Sequence, residues 1–164
     1  MATHLKGLSD FSHIEIPSAA AFRFGIVVSQ WNAEVTGALY NGAYDTLVRH
    51  GALPRNIIEI PVPGSFELSS GADILLASKE VDAVICLGCV IQGETRHFDF
   101  ICHAVANGIM NVSIKYTRPV IFGVLTTDNL EQAKDRAGGR HGNKGEEAAV
   151  TAIVMAQAAH TSLE

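Results

Sequence analysis

Four apolar runs alternate with stretches of helical spacing along the 164 residues, and that alternation leaves few folds open. Phe22 to Gln30 reads as a buried strand; Ala33 to His50 then sets Val35, Leu39, Ala43 and Leu47 at helical spacing and stops at Gly51. Ile57 to Val62 is a second strand, turned by Pro63-Gly64 into a helix from Phe66 to Ser78. The third pair is Ala83 to Ile91 with a helix from His97 to Tyr116, which places Phe98, Ile101, Val105, Ile109 and Val112 on one face. The fourth strand is Val120 to Leu125. Asp128 with Glu131, and Asn143 with Glu146, have capping-box spacing and predict a helix to Ala137 and a last, Ala-rich helix.

Strands that are apolar on both faces and separated by helices imply a parallel sheet covered on both sides. The predicted fold is α/β: a three-layer αβα sandwich around a four-stranded parallel sheet, flavodoxin-like in topology. Residues 1–21 read as an N-terminal arm and 22–164 as a single domain. Within the arm, His13-Ile-Glu-Ile16 offers a fifth strand, either to this sheet or to that of a neighbouring subunit.

A net charge of −5 without a Lys/Arg cluster argues against nucleic acid or an anionic membrane as partner. Only 18% of residues are charged and mean hydropathy is +0.20, so part of the surface is expected to be buried against other subunits. Met1 to Phe22 has Lys6, Asp10 and Glu15 but no apolar centre, so no signal peptide is expected, and no apolar run is long enough to span a membrane. The expected location is the cytoplasm. Cys86 and Cys89, three apart on a strand, point to opposite faces; with Cys102 they read as reduced thiols that share neither a disulfide nor a metal.

In an open parallel sheet, ligands collect at the carboxyl ends of the strands. The turns there hold Trp31-Asn32, then Pro63-Gly-Ser-Phe-Glu67, then Gly93-Glu-Thr-Arg-His97. Trp31, the sole tryptophan, is placed to stack on a flat heterocycle. Gly93, Glu94 and Thr95 precede a helix whose free N–H groups, with the Thr95 hydroxyl, make a phosphate cradle, and His97 adds a base one step on. The other histidines, His4, His13, His50, His103, His141 and His160, have no partners at ligand spacing. The glycine-rich Gly138-Gly-Arg-His-Gly-Asn-Lys-Gly145 is not a nucleotide-binding P-loop, because a helix precedes it and Asn143-Lys144-Gly145 lacks the Gly-Lys-Ser/Thr ending. Phe122, Arg136 and Lys144 fall toward the opposite, amino edge of the sheet. If they act with His97, the site is shared between adjacent chains.

These motifs resemble the lumazine synthases, the 6,7-dimethyl-8-ribityllumazine synthase family of riboflavin biosynthesis. The resemblance runs from Gly25 onward through Ser29-Gln-Trp-Asn32, Pro63-Gly-Ser-Phe-Glu67, Gly88-Cys-Val-Ile-Gln-Gly-Glu-Thr-Arg-His-Phe-Asp99, Pro119 to Thr127, Glu131-Gln-Ala133, Arg136-Ala-Gly138 and Gly142-Asn-Lys-Gly145. It implies condensation of 5-amino-6-(D-ribitylamino)uracil with 3,4-dihydroxy-2-butanone 4-phosphate, releasing phosphate and water, with no metal and no organic cofactor. By motif position, Trp31 stacks on the pyrimidine ring with Asn32 as a further substrate-binding residue beside it, Ser65, Phe66 and Glu67 bind the ribityl chain, and Cys89, Val90 and Ile91 present backbone to the ring edge. Glu94 and Thr95 hold the phosphate and His97 shuttles protons. Phe122, Lys144 and a phosphate-pairing Arg136 come from the neighbouring subunit. The resemblance further implies homo-oligomers built from pentamers, a short form of the 136–144 stretch that goes with shell-forming members, and riboflavin synthase as an associated enzyme.

Trp31 stands where the family usually has phenylalanine, Ser65 where alanine is frequent and Gln92 where arginine is common. Glu94 adds a negative charge beside the phosphate cradle. A non-catalytic lumazine- or flavin-binding shell protein is the competing reading, and the pair His97 and Arg136 argues against it, since storage needs neither a proton shuttle nor a phosphate clamp. An FMN carrier is disfavoured because Ser29-Gln-Trp-Asn32 lacks a run of hydroxyl residues.

Overall fold

A computed structural model describes residue 11 and residues 13–161. Strands β1 (Phe24–Ser29), β2 (Ile57–Val62), β3 (Ala83–Ile91) and β4 (Val120–Thr127) form one parallel sheet in the order β2-β1-β3-β4. Helices α1 (Ala33–Arg49), α2 (Leu68–Ser78), α3 (His97–Tyr116), α4 (Leu130–Asp135) and α5 (Lys144–Thr161) cover it. Alternation along the strands divides the core in two. Phe24, Ile26, Ile85, Leu87 and Cys89 pack against α1, α4 and α5 through Leu39, Leu47, Ala133, Ala149 and Ile153. Val27, Val84, Cys86 and Val124 pack on the other face against Leu68 and Leu75 of α2 and Val105 and Ile109 of α3. This is the three-layer arrangement expected from the apolar runs, with Cys86 and Cys89 on opposite faces as their spacing requires.

The sheet is stepped at its carboxyl edge. β1 pairs with β3 only as far as Val28 opposite Leu87, whereas β3 continues beside β4 to Ile91 opposite Thr127. Gly88 to Ile91 therefore overhang the end of β1, and the next two loops fill the step.

The last third of the chain differs from the pattern read in the sequence. The α4 cap is Asn129, whose side chain accepts from Gln132 N–H at 2.9 Å, rather than Asp128, whose carboxylate instead accepts from the Gln132 side chain at 3.2 Å. The helix ends at Asp135, not Ala137, because β5 (Ala137–Gly139) and β6 (Gly142–Asn143) form a small antiparallel ribbon that short glycine-rich segments do not announce. Asn143 caps α5, accepting from Gly145 N–H at 2.8 Å.

Of the N-terminal arm, residues 1–10 and 12, with His4, lie outside the described residues. His13 and Ile14 sit in a turn and bend, so the fifth strand considered for this sheet is not formed at His13–Ile16. The segment after them is tied to α1 by Ala19 N–H donating to His50 O at 2.8 Å, and Phe22 packs edge-on against His160. No helix among the described residues is long and apolar enough to cross a membrane.

Candidate active site

At the step in the sheet lies a cavity of about 300 Å³ lined by Trp31, Asn32, Ser65, Phe66, Cys89 to Ile91, His97 and Ile101. The loops after β1 and β2 are joined by Gln30 N–H to Val62 O at 2.8 Å and Trp31 N–H to Pro63 O at 3.1 Å. Asn32 sits in the left-handed region at φ 61°, and its Nδ2 reaches across to donate to Cys89 O at 3.1 Å. Ser65 Oγ donates to the same carbonyl at 3.5 Å. Ser65 fits there because β3 has glycine at 88: a Cβ at that position would lie 2.6 Å from Ser65 Oγ. Trp31 is 72% exposed, so its indole forms the rim of the cavity rather than part of the core. Glu67 closes the short 3₁₀ turn Ser65–Glu67 just behind Phe66, beside the cavity rather than in its lining.

The turn from Gly93 to Arg96 leads directly into α3, whose first residue is His97. Gln92 N–H donates to Thr127 O at 2.8 Å, anchoring the turn to β4, and Gln92 Nε2 donates to Gly93 O at 2.7 Å. Thr95 Oγ accepts from His97 N–H at 3.4 Å. Glu94 and Thr95 are exposed and border His97 without lining the cavity.

Phe122, Arg136 and Lys144 are gathered elsewhere. Phe122 pairs in register with Cys86 while Cys89 pairs with Leu125, which sets Phe122 three residues, about 10 Å, back from the step. With Lys144 it lines a second cavity of about 430 Å³ along the open edge of β4, between Ile109 and Met110 of α3 and Ala148 and Thr151 of α5. Arg136 joins Lys144 through Glu147: Arg136 Nη1 lies 2.7 Å from Glu147 Oε1, and Lys144 Nζ 3.2 Å from Oε2. The ribbon makes this possible, with Lys144 N–H donating to Arg136 O at 2.9 Å. Asn143 Nδ2 pins the start of α5 to Ala38 O at 3.0 Å, and Gly145 passes so close to α1 that a Cβ there would sit 1.9 Å from Leu39 O. Glu147 was not among the residues singled out in the sequence; its only signal is that it stands one helical turn after Lys144.

Burial pushes the Cys89 thiol up to about 11, which makes it a neutral wall of the cavity and not a nucleophile. Among the described residues no group of three His, Cys, Asp or Glu side chains could hold a metal ion. A larger cavity of about 690 Å³ opens at the amino edge, where Arg23, Lys79 and Arg118 are largely offset by Glu80 and Asp82.

Residues 21–160 match the family profile described as 6,7-dimethyl-8-ribityllumazine synthase. A protein of that name from Cytophaga hutchinsonii is 62% identical over 155 residues, 94% of this chain and 97% of that one. Two more of the same name, from Parabacteroides distasonis and Flavobacterium johnsoniae, are 52% and 54% identical, over 94% and 95% of this chain and 97% and 82% of their own lengths.

Proposed function

The chain belongs to the 6,7-dimethyl-8-ribityllumazine synthase family, and we propose that its two cavities are the two halves of that enzyme's active site, completed between adjacent subunits. The reaction joins 5-amino-6-(D-ribitylamino)uracil to 3,4-dihydroxy-2-butanone 4-phosphate in riboflavin biosynthesis and releases phosphate and water. The observation that carries the reading is that Trp31, the Cys89–Ile91 overhang and His97 share one cavity while Phe122 and Lys144 line another on a sheet edge. An unpaired β-edge is where a second chain docks.

The pyrimidine stacks on Trp31. Because the Cys89 carbonyl already accepts from Asn32 and Ser65, the ring edge meets the backbone beyond it, at Val90 and Ile91. The ribityl chain runs along Ser65, Phe66 and Glu67. The phosphate sits on the turn at Glu94 and Thr95, where the Thr95 hydroxyl accepts from His97 N–H and keeps its own proton to donate. The neighbour's Arg136 pairs the phosphate in bidentate fashion.

Attack of the 5-amino group on the ketone expels water as an imine forms, loss of a proton from the adjacent carbon drives out phosphate, and closure of the ribityl-bearing nitrogen onto the carbonyl left at that carbon expels a second water. His97 moves protons in these steps, at the mouth of the cavity where both substrates meet. Orienting two substrates against each other supplies a large further share of the acceleration.

The assembly is a homo-oligomer built from pentamers, the short 136–144 stretch favours their closing into a shell over pairing into decamers, and the N-terminal arm offers its strand to a neighbouring subunit. Phe100, Met110 and Ile114 support subunit contact, since they leave α3 with large apolar side chains in the open. A cytoplasmic location accords with the free Cys86, Cys89 and Cys102, and riboflavin synthase, as the enzyme that would take up the product, is the associated partner.

The test follows the lumazine chromophore on mixing both substrates with the purified chain. Chromophore formation that falls about a hundredfold in His97→Ala supports the proton role. Tight lumazine binding without turnover would replace the enzyme with a binding shell.

A further inference from the structure

We infer that Glu147 is a positioning residue that holds Arg136 and Lys144 in one arrangement ready for a phosphate group; the inference rests on the proposed meeting of Arg136 with the phosphorylated substrate. Each carboxylate oxygen takes one cation, Arg136 Nη1 at 2.7 Å and Lys144 Nζ at 3.2 Å. Glu147 and Arg136 are only 14% and 18% exposed, which separates this triad from the exposed ion pairs that contribute little. Without the carboxylate, two like charges only partly covered by solvent would face each other and move apart.

The hydrogen bonds also decide which edge of the guanidinium is offered. Arg136 Nη1 lies 2.7 Å from Glu147 Oε1 and donates to His141 O at 2.6 Å. With Nη1 engaged on that side, the Nε–Nη2 edge, which matches two phosphate oxygens, is the one that remains to meet the phosphate. The scaffold behind the triad is stiff: the β5–β6 ribbon closes Lys144 N–H on Arg136 O, and Asn143 fixes the start of α5 on α1.

Charge and position make opposite predictions here. As a charge alone, Glu147 repels a phosphate, so removing it would tighten binding. As a positioning group, its loss frees both cations and weakens binding. The experiment titrates inorganic phosphate calorimetrically into the full assembled chain and into Glu147→Gln, with the KM for the butanone phosphate measured on both. Positioning gives a dissociation constant and a KM raised roughly tenfold in Glu147→Gln; affinity unchanged or tighter overturns it. Should Glu147→Gln fail to assemble, Glu147→Asp keeps the charge one methylene short of its partners, and unweakened phosphate binding there overturns the inference equally. Arg136→Gln is run beside them. If it leaves phosphate affinity untouched, the phosphate assignment of Arg136 itself fails; if it weakens binding while the Glu147 variants do not, only the positioning role of Glu147 fails.

Discussion

Asn32 Nδ2 donates to the carbonyl of Cys89 at 3.1 Å, joining the loop after β1 to the overhanging end of β3. Asn32 is the cap residue of α1, yet its side chain makes no cap bond to that helix and turns to Cys89, and its φ of 61° is one that asparagine tolerates better than most residues. The bond therefore shapes the cavity at the expense of the helix end. Asn32→Asp replaces the donor with an acceptor aimed at the Cys89 carbonyl. It should lower kcat/KM more than Asn32→Gly, which keeps the backbone conformation and loses only the bond, about 1 kcal/mol. Steady-state kinetics on the two variants decide the point, and an unchanged kcat/KM in Asn32→Gly would mean the bond has no part in shaping the cavity.

Trp31 should be separable into binding and stability. Its side chain is 72% exposed, so Trp31→Ala should leave the melting temperature nearly unchanged. Stacking of a base on an aromatic ring contributes about 1–3 kcal/mol, so the KM for the ribitylaminouracil should rise roughly tenfold or more, and Trp31→Phe should recover most of it. An unchanged KM would move the pyrimidine off this ring.

The fold was legible because both kinds of signal it needs are local. Strands buried on both faces are written as apolar runs such as Ala83–Ile91, and α1 as the spacing of Val35, Leu39, Ala43 and Leu47. The carboxyl-edge turns followed from the parallel sheet, so Trp31, Ser65 and His97 could be named as neighbours in space, and the structure sets them around one cavity. What stayed hidden depends on long-range contacts. The β5–β6 ribbon has five residues and little side chain to mark it. Gly145 reads as a loop glycine until α1 is seen lying against it, and Glu147 acquires meaning only when that contact fixes the start of α5 beside Arg136.

The buried thiols predict a loss of stability in alkali. Burial pushes Cys86 up to about 12 and Cys89 up to about 11 from an ordinary 9.0. Below pH 9 both folded and unfolded chains keep these protons, and the contribution is fully present. Above it the unfolded chain ionises first, so stability falls as pH rises toward 11 and 12. Tyr40, raised to about 12 by burial and by Glu59, adds to the same trend. Urea midpoints at pH about 8 and about 10.5 should differ, and by less in a Cys86→Ala, Cys89→Ala chain. An equal difference in that chain would remove the thiols from the explanation.

A site divided between chains makes a prediction that a site within one chain does not. His97 lines the cavity at the step of the sheet, whereas Lys144 lines the cavity on the β4 edge and Arg136 is tied to it through Glu147. If one chain's edge completes another's step, His97→Ala damages the first half only and Arg136→Ala the second half only. Each variant assembled alone has no intact site. Assembled together at random, about one quarter of sites draw an unaltered His97 from one subunit and an unaltered Arg136 from its neighbour. The two purified variants, unfolded, mixed in equal amounts and refolded into common oligomers, should therefore recover about one quarter of the unaltered rate of lumazine formation. Mixing without unfolding should recover nothing, because subunits stay with their own kind. Activity in the co-refolded sample no higher than the mean of the two variants would place both halves on one chain and return Arg136 to a purely structural role at the end of α4.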